Sequence, residues 1–160
     1  AEIENPELAM DRMKVIYEKK GYPKDWIDKR ARGVAVRHTL TDEWKNRGVK
    51  HSVEYAILTY EIMQGTFDMK VSEYKKFKGL KRENLRDHMD DLELILTMLG
   101  EATTTRLTKD RDSRGFPRLK NDAIDGGSIA GETRKNIETK TKTKISSPVN
   151  FNNLNTKQIK

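Results

Sequence analysis

With 160 residues and a formal net charge of +7, the chain has room for one domain of ordinary size, or for one domain and a tail. Charged residues make up 36% against 34% hydrophobic, so the core is small or shared with a partner, and a helical scaffold with solvated faces fits that balance. The lack of cysteine excludes disulfides, thiolate nucleophiles and most structural zinc sites and favours a cytoplasmic protein, while the absence of an eighteen-residue apolar run and of a basic-then-apolar N-terminus argues against a membrane span or secretion signal.

Taken in chain order, the pattern is helical almost throughout. Asn5 followed by Pro6 has the form of an N-cap with proline at the first helical position, and Leu8, Met13, Ile16 and Tyr17 give an apolar stripe that Gly21 stops, so a helix is expected over residues 6–20. Pro23 opens a second helix carrying Trp26, Ile27, Ala31 and Val34 on one side. Thr39 and Asp42 have the three-residue spacing of a threonine cap, which predicts a break there and a restart carrying Trp44 to Gly48. A further helix runs from Ser52 with the stripe Tyr55, Leu58, Thr59 and Ile62, and Gly65 punctuates it.

Val71 before Ser72 reads as a cap with a hydrophobic residue ahead of it, giving a short helix to Gly79, after which Leu80 re-enters the core. A second short helix holds Leu85 and Met89. Asp90 or Asp91 caps a long one whose burial candidates are Leu92, Ile95, Leu96, Leu99, Ala102 and Leu107. After a polar loop over residues 109–115, Pro117 starts the last helix, with Leu119, Ala123, Ile124, Ile129, Ala130 and Ile137 as its candidates. Short strands have room only at residues 34–36 and 144–151. The expectation is an all-α, compact multi-helix domain over residues 1–144 with a flexible basic C-terminal tail over residues 145–160, where the composition turns to Ser-Ser-Pro and Asn-rich sequence.

The charge is uneven. Residues 132–160 hold 7 basic and 2 acidic side chains, and residues 70–86 hold another 7 and 2. The second excess contains the most distinctive run of the chain, in which Lys75, Lys76, Lys78, Lys81, Arg82 and Arg86 surround Gly79 and stand beside Tyr74 and Phe77. These six cations are the candidate nucleic-acid-binding residues, because lysine stems can lie along apolar surface while their heads reach phosphate. The two aromatics, three apart on one helix face, are assigned to the core.

Other constellations carry less. His88, Asp90, Asp91 and Glu93 have metal-ligand chemistry but do not converge on one helix face, so capping is the better reading and no metal or cofactor site is assigned. Asp42 and Glu43 beside His38 point in different directions and make no acid–base pair. The element 126–131, Gly-Gly-Ser-Ile-Ala-Gly, lacks the preceding strand and Lys-Ser or Lys-Thr ending of a nucleotide loop. Gly127 and Gly131, one turn apart, instead form a smooth strip for close helix packing. No catalytic constellation is found, and a binding role follows.

The strings Thr41-Asp42-Glu43-Trp44-Lys45, Glu54-Tyr55-Ala56-Ile57-Leu58-Thr59, Glu73-Tyr74-Lys75, Lys78-Gly79-Leu80-Lys81, Asn84-Leu85-Arg86-Asp87 and Glu101-Ala102-Thr103-Thr104-Thr105, in this order, resemble the C-terminal region of phage antirepressor-like proteins with a BRO-type N-terminal domain, and the DNA damage-inducible protein D family is similar. Asp87-His88-Met89 and the later Gly126 to Gly131 element add to the likeness, which spans residues 6–145. In such relatives a BRO-type domain precedes this region; the sequence in hand does not include it. The resemblance implies a regulatory, DNA-linked module whose partners are a phage-type repressor, or a RecA-type recombinase and single-stranded DNA. A protein-interaction or dimerisation module without direct DNA binding is the alternative.

Overall fold

The computed structural model describes residues 6–152. Among them are six α-helices, α1 (Pro6–Lys19), α2 (Lys24–Asn46), α3 (Ser52–Phe67), α4 (Val71–Phe77), α5 (Asp91–Arg111) and α6 (Phe116–Thr141), with a short 3-10 turn at Leu85–His88 and no strand. The Asn5 cap expected for the first helix lies outside the described residues.

Local chemistry accounts for the boundaries and for three departures from the sequence reading. The second helix does not break at Thr39. Its hydroxyl donates to the Ala35 carbonyl (3.2 Å) and that of Thr41 to the His38 carbonyl (3.1 Å), so both threonines are satisfied inside a continuous helix and neither caps a new one. Helix α3 likewise runs through Gly65 and ends only at Asp68, whose φ of 55° is left-handed. At α4 the cap position is Lys70 rather than Ser72, because the Glu73 carboxylate reaches back to the Lys70 N–H at 2.9 Å. The expected acidic cap of α5 is present at Asp90, which accepts from the Glu93 N–H (3.1 Å) while Glu93 accepts from the Asp90 N–H (3.0 Å).

Helix α6 pairs with both α3 and α5, and α2 packs along α5. Glycine sets the closest approach. A Cβ placed on Gly65 would lie 2.7 Å from the Gly127 carbonyl carbon, one on Gly127 would lie 2.7 Å from the Ile62 carbonyl oxygen, and one on Gly131 would overlap the Gly65 carbonyl oxygen. The α3 and α6 backbones are therefore in direct contact over two turns, with Gly126 turned the other way onto Thr104 of α5.

The buried face of α5 is not the apolar one. Leu92 and Ile95 are exposed and Ala102 with them, whereas Glu93, Thr97, Glu101, Thr104, Thr105 and Thr108 are buried alongside Leu94 and Leu96. The threonines can turn inward because Thr97, Thr104 and Thr105 each donate to the carbonyl four residues back, which satisfies their hydroxyls inside the core, and Thr108 donates to buried Asp122. On α6, Leu119, Ala123 and Ala130 are buried as expected, but Ile124 and Ile129 face outward because the glycine strip takes the inner positions.

Two apolar clusters result. One gathers Tyr17, Tyr22, Trp26, Phe67, Tyr74, Leu80, Leu85, Met89 and Leu96, and the other Leu40, Trp44, Leu58, Ile62 and Leu119. The first also contains Ile145 and Phe151, which corrects the expected start of the tail. Residues 145–152 form a strap over the body: the Ile145 N–H donates to Glu138, Val149 offers its carbonyl to Lys78, and the Phe151 N–H donates to His88 Nδ1 at 2.8 Å. Two buried apolar anchors and these hydrogen bonds hold the strap without helix or strand. Residues 153–160 lie outside the described residues.

Candidate nucleic-acid interface

The structure splits the six candidate cations into two groups. Lys76, Lys81 and Arg82 are exposed and Lys75 is half-buried, and among the described residues no ion pair engages any of the four. Lys78 and Arg86 are not available for phosphate. Lys78 is 1% exposed, its Nζ lies 3.0 Å from Glu93 Oε2, and it donates to the Val149 carbonyl at 3.1 Å. Tyr74 donates its hydroxyl to the same carboxylate and packs edge-on to Phe67 with ring centroids 4.9 Å apart. Burial raises the Glu93 pKa, against the pull of Lys78, and raises that of Tyr74. The two aromatics assigned together to the core also part: Tyr74 is buried, but Phe77 is 46% exposed because α4 ends before a second partner covers it.

Arg86 forms a two-pronged pair with Glu101, both contacts at 2.8 Å, and Arg37 reaches the same carboxylate at 3.0 Å while donating to Thr59. Burial works against the charge on Glu101, but the Arg86 fork and Arg37 overcome it and hold the carboxyl below its usual range. A third such contact joins Arg30 to Asp87 at 3.1 Å, with the Tyr17 hydroxyl on the same oxygen at 2.6 Å. The sequence reading takes Arg86 for a surface cation and gives Arg30, Arg37 and Glu101 no part in a site. The available signal was a glutamate at helical spacing from Thr97, Thr104, Thr105 and Thr108.

What remains exposed is held in place. Glu83 folds back on its own turn and accepts from the Lys81 and Arg82 N–H groups, both at 2.9 Å, and from Asn152 at 2.8 Å; those backbone bonds lower its pKa to about 2. Asn150 of the strap donates to the Lys78 carbonyl at 2.8 Å. The strap thus touches the turn but adds no cation to it within residues 145–152. The other basic excess sits separately at the end of α6, where Lys135, Lys142 and Lys144 are exposed and Lys135 contacts Asp68 at 3.3 Å.

Beside the turn lies a groove of about 470 Å³ between α3 and α4, with Ile57, Tyr60, Glu61 and Gln64 on one wall and Lys70, Val71, Ser72 and Lys75 on the other. Tyr60 is 53% exposed. This second stripe of α3, with Val53, Ile57 and Tyr60 at helical spacing, was overshadowed in the sequence by the stronger Leu58 and Ile62 stripe.

The strip residues Gly127 and Gly131 are buried against α3, as described above. His88, Asp90, Asp91 and Glu93 go to four separate tasks: His88 accepts from the strap, Asp90 caps α5, Asp91 pairs with Lys29 at 2.9 Å and Glu93 holds Lys78. Among the described residues no cluster of three metal-ligating side chains occurs, and no helix is long and apolar enough to cross a membrane. No family model, curated protein or solved structure matches the chain.

Proposed function

We propose that this chain is a regulatory, DNA-linked binding module of the antirepressor-like or damage-inducible-D-like kind, acting in the cytoplasm by binding rather than by catalysis. The observation that supports this most is the set Lys75, Lys76, Lys81 and Arg82, which carries no acidic partner among the described residues and is fixed by the Glu83 backbone bonds and by the buried anchors Tyr74 and Leu80. Cations mounted on ordered backbone bind phosphate with less loss of freedom than cations on a mobile tail. The resemblance adds a repressor or a RecA-type recombinase as protein partner, and duplex or single-stranded DNA as the nucleic acid. A second copy of the chain is a further partner in this reading.

The test is the salt dependence of DNA affinity, read by fluorescence anisotropy. Each phosphate neutralised gives a logarithmic slope of about 0.9 on duplex and about 0.7 on single strands. Changing Lys76, Lys81 and Arg82 together to glutamate should flatten the slope by roughly two to three units. Helical content should be unchanged, since all three are exposed. An unaltered slope would remove the turn from the interface. No binding even at low salt would favour the protein-interaction reading, for which the relevant observation is that Leu92, Ile95, Ile124 and Ile129 stand 41–43% exposed on α5 and α6.

A further inference from the structure

We infer that the groove between α3 and α4 receives an unpaired nucleobase, so that the nucleic acid taken by this chain is single-stranded. This rests on the DNA-linked reading above and narrows it. The groove joins three kinds of surface that a nucleotide needs together. Tyr60 lines it and is 53% exposed, and Ile57 and Val71 give it apolar walls. Lys70 and Lys75 supply positive charge on one side, and Lys75 is followed along the chain by the exposed cations Lys76, Lys81 and Arg82.

Glu61 and Glu73 keep their negative charge nearby, but among the described residues neither forms an ion pair with Lys70 or Lys75, and Glu73 is turned to the Lys70 backbone N–H at 2.9 Å. Glu61, on the α3 wall, excludes phosphate from that side and fits the edge of a base, since carboxylates accept from exocyclic amino groups. The volume of about 470 Å³ lies within the range of ordinary ligand pockets. A duplex cannot use such a site, because its bases are stacked and paired. A single strand can splay one out onto an aromatic ring while its phosphates follow the lysines.

The experiment compares a fluorescein-labelled single-stranded oligonucleotide with the same oligonucleotide annealed to its complement, at low salt. It uses the parent chain, Tyr60→Ala, Tyr60→Phe and the Lys76, Lys81 and Arg82 charge-reversed variant. Single strands should bind at least about fivefold tighter than duplex, and Tyr60→Ala should remove that advantage while Tyr60→Phe keeps it and duplex affinity stays constant. If Tyr60→Ala leaves single-strand affinity unchanged while charge reversal weakens it, the groove assignment is overturned and the phosphate reading stands. A preference for duplex in the parent overturns the groove assignment in the same way. If neither nucleic acid binds the parent chain, both fall together. Tyr60 is exposed and its hydroxyl makes no hydrogen bond among the described residues, so the variants should fold as the parent does, which circular dichroism checks.

Discussion

The two sides of α5 and α6 are held together in opposite ways. Where α6 meets α3, glycine removes side chains altogether and backbone lies on backbone. Where α5 meets α2 and the 3-10 turn, long charged side chains are drawn inward, and Glu101, Arg86 and Arg37 occupy the space that leucines would ordinarily fill. Along the glycine strip the first interface tolerates no added atom, and its charges gather beyond the strip, where Arg134 of α6 donates to the Thr66 carbonyl at 2.7 Å and pairs with Asp68 at 3.1 Å. The second is held by long charged side chains and tolerates no unpaired charge. They should fail for different reasons when altered.

The largest effect is expected on the charged side. Glu101→Ala leaves two arginines facing each other without a carboxylate, and breaking a buried pair costs about 3–5 kcal/mol. The lower end is expected, because Arg37 is 33% exposed and can turn to water whereas Arg86, at 13%, cannot. Urea denaturation measures it, and a loss below about 1 kcal/mol would mean that the arginines relax freely and that the contrast between the interfaces is false. On the glycine side, Gly131→Leu should destabilise by roughly 1–3 kcal/mol through overpacking. Its first added atom meets the Gly65 carbonyl, which belongs to backbone and has no rotamer to escape into. A midpoint equal to that of the parent would show that α3 slides away at no cost.

The same contrast explains what could be read from the sequence. Glycines at 127 and 131 one turn apart imply close packing because little else justifies them in a helix, and the capping acid before the long helix is fixed by local hydrogen bonding; the structure places both where local reasoning puts them. Lys78 and Arg86 were illegible for the opposite reason. Whether a cation faces water or a buried carboxylate depends on residues far along the chain, here Glu93 and Glu101, and no local pattern encodes that meeting. Thr39 looks like a cap and is helix interior, while the burial of Thr97, Thr104, Thr105 and Thr108 has no counterpart in the apolar stripe expected for the long helix. The strap was missed because its two anchors, Ile145 and Phe151, sit six residues apart with no periodicity between them.

That strap yields the smallest and most specific expectation. His88 Nδ1 accepts from the Phe151 N–H, so the imidazole must be neutral there, with its proton on the other nitrogen. Burial lowers the His88 pKa below 6.5; Asp87 and Glu83 oppose the shift, and Lys78 and Lys20 add to it. The unfolded chain therefore takes up a proton near pH 6.5 that the folded chain refuses until lower pH, and stability should fall as pH drops below about 6.5, by at most about 1.4 kcal/mol per pH unit. Glu101 and Glu83, held below the ordinary carboxylate range, stay ionised through that window and contribute nothing to the slope. Glu93, raised by burial, acts with the opposite sign, but it does so equally in a His88→Asn variant, whose amide oxygen still accepts from Phe151. Denaturation midpoints between pH 7.5 and 5.5 can be followed by the fluorescence of Trp26, whose ring stacks at 3.9 Å on Tyr22, itself packed edge-on to Phe151. The parent should lose stability relative to His88→Asn as the pH falls, and parallel curves would show that the strap does not depend on a neutral imidazole.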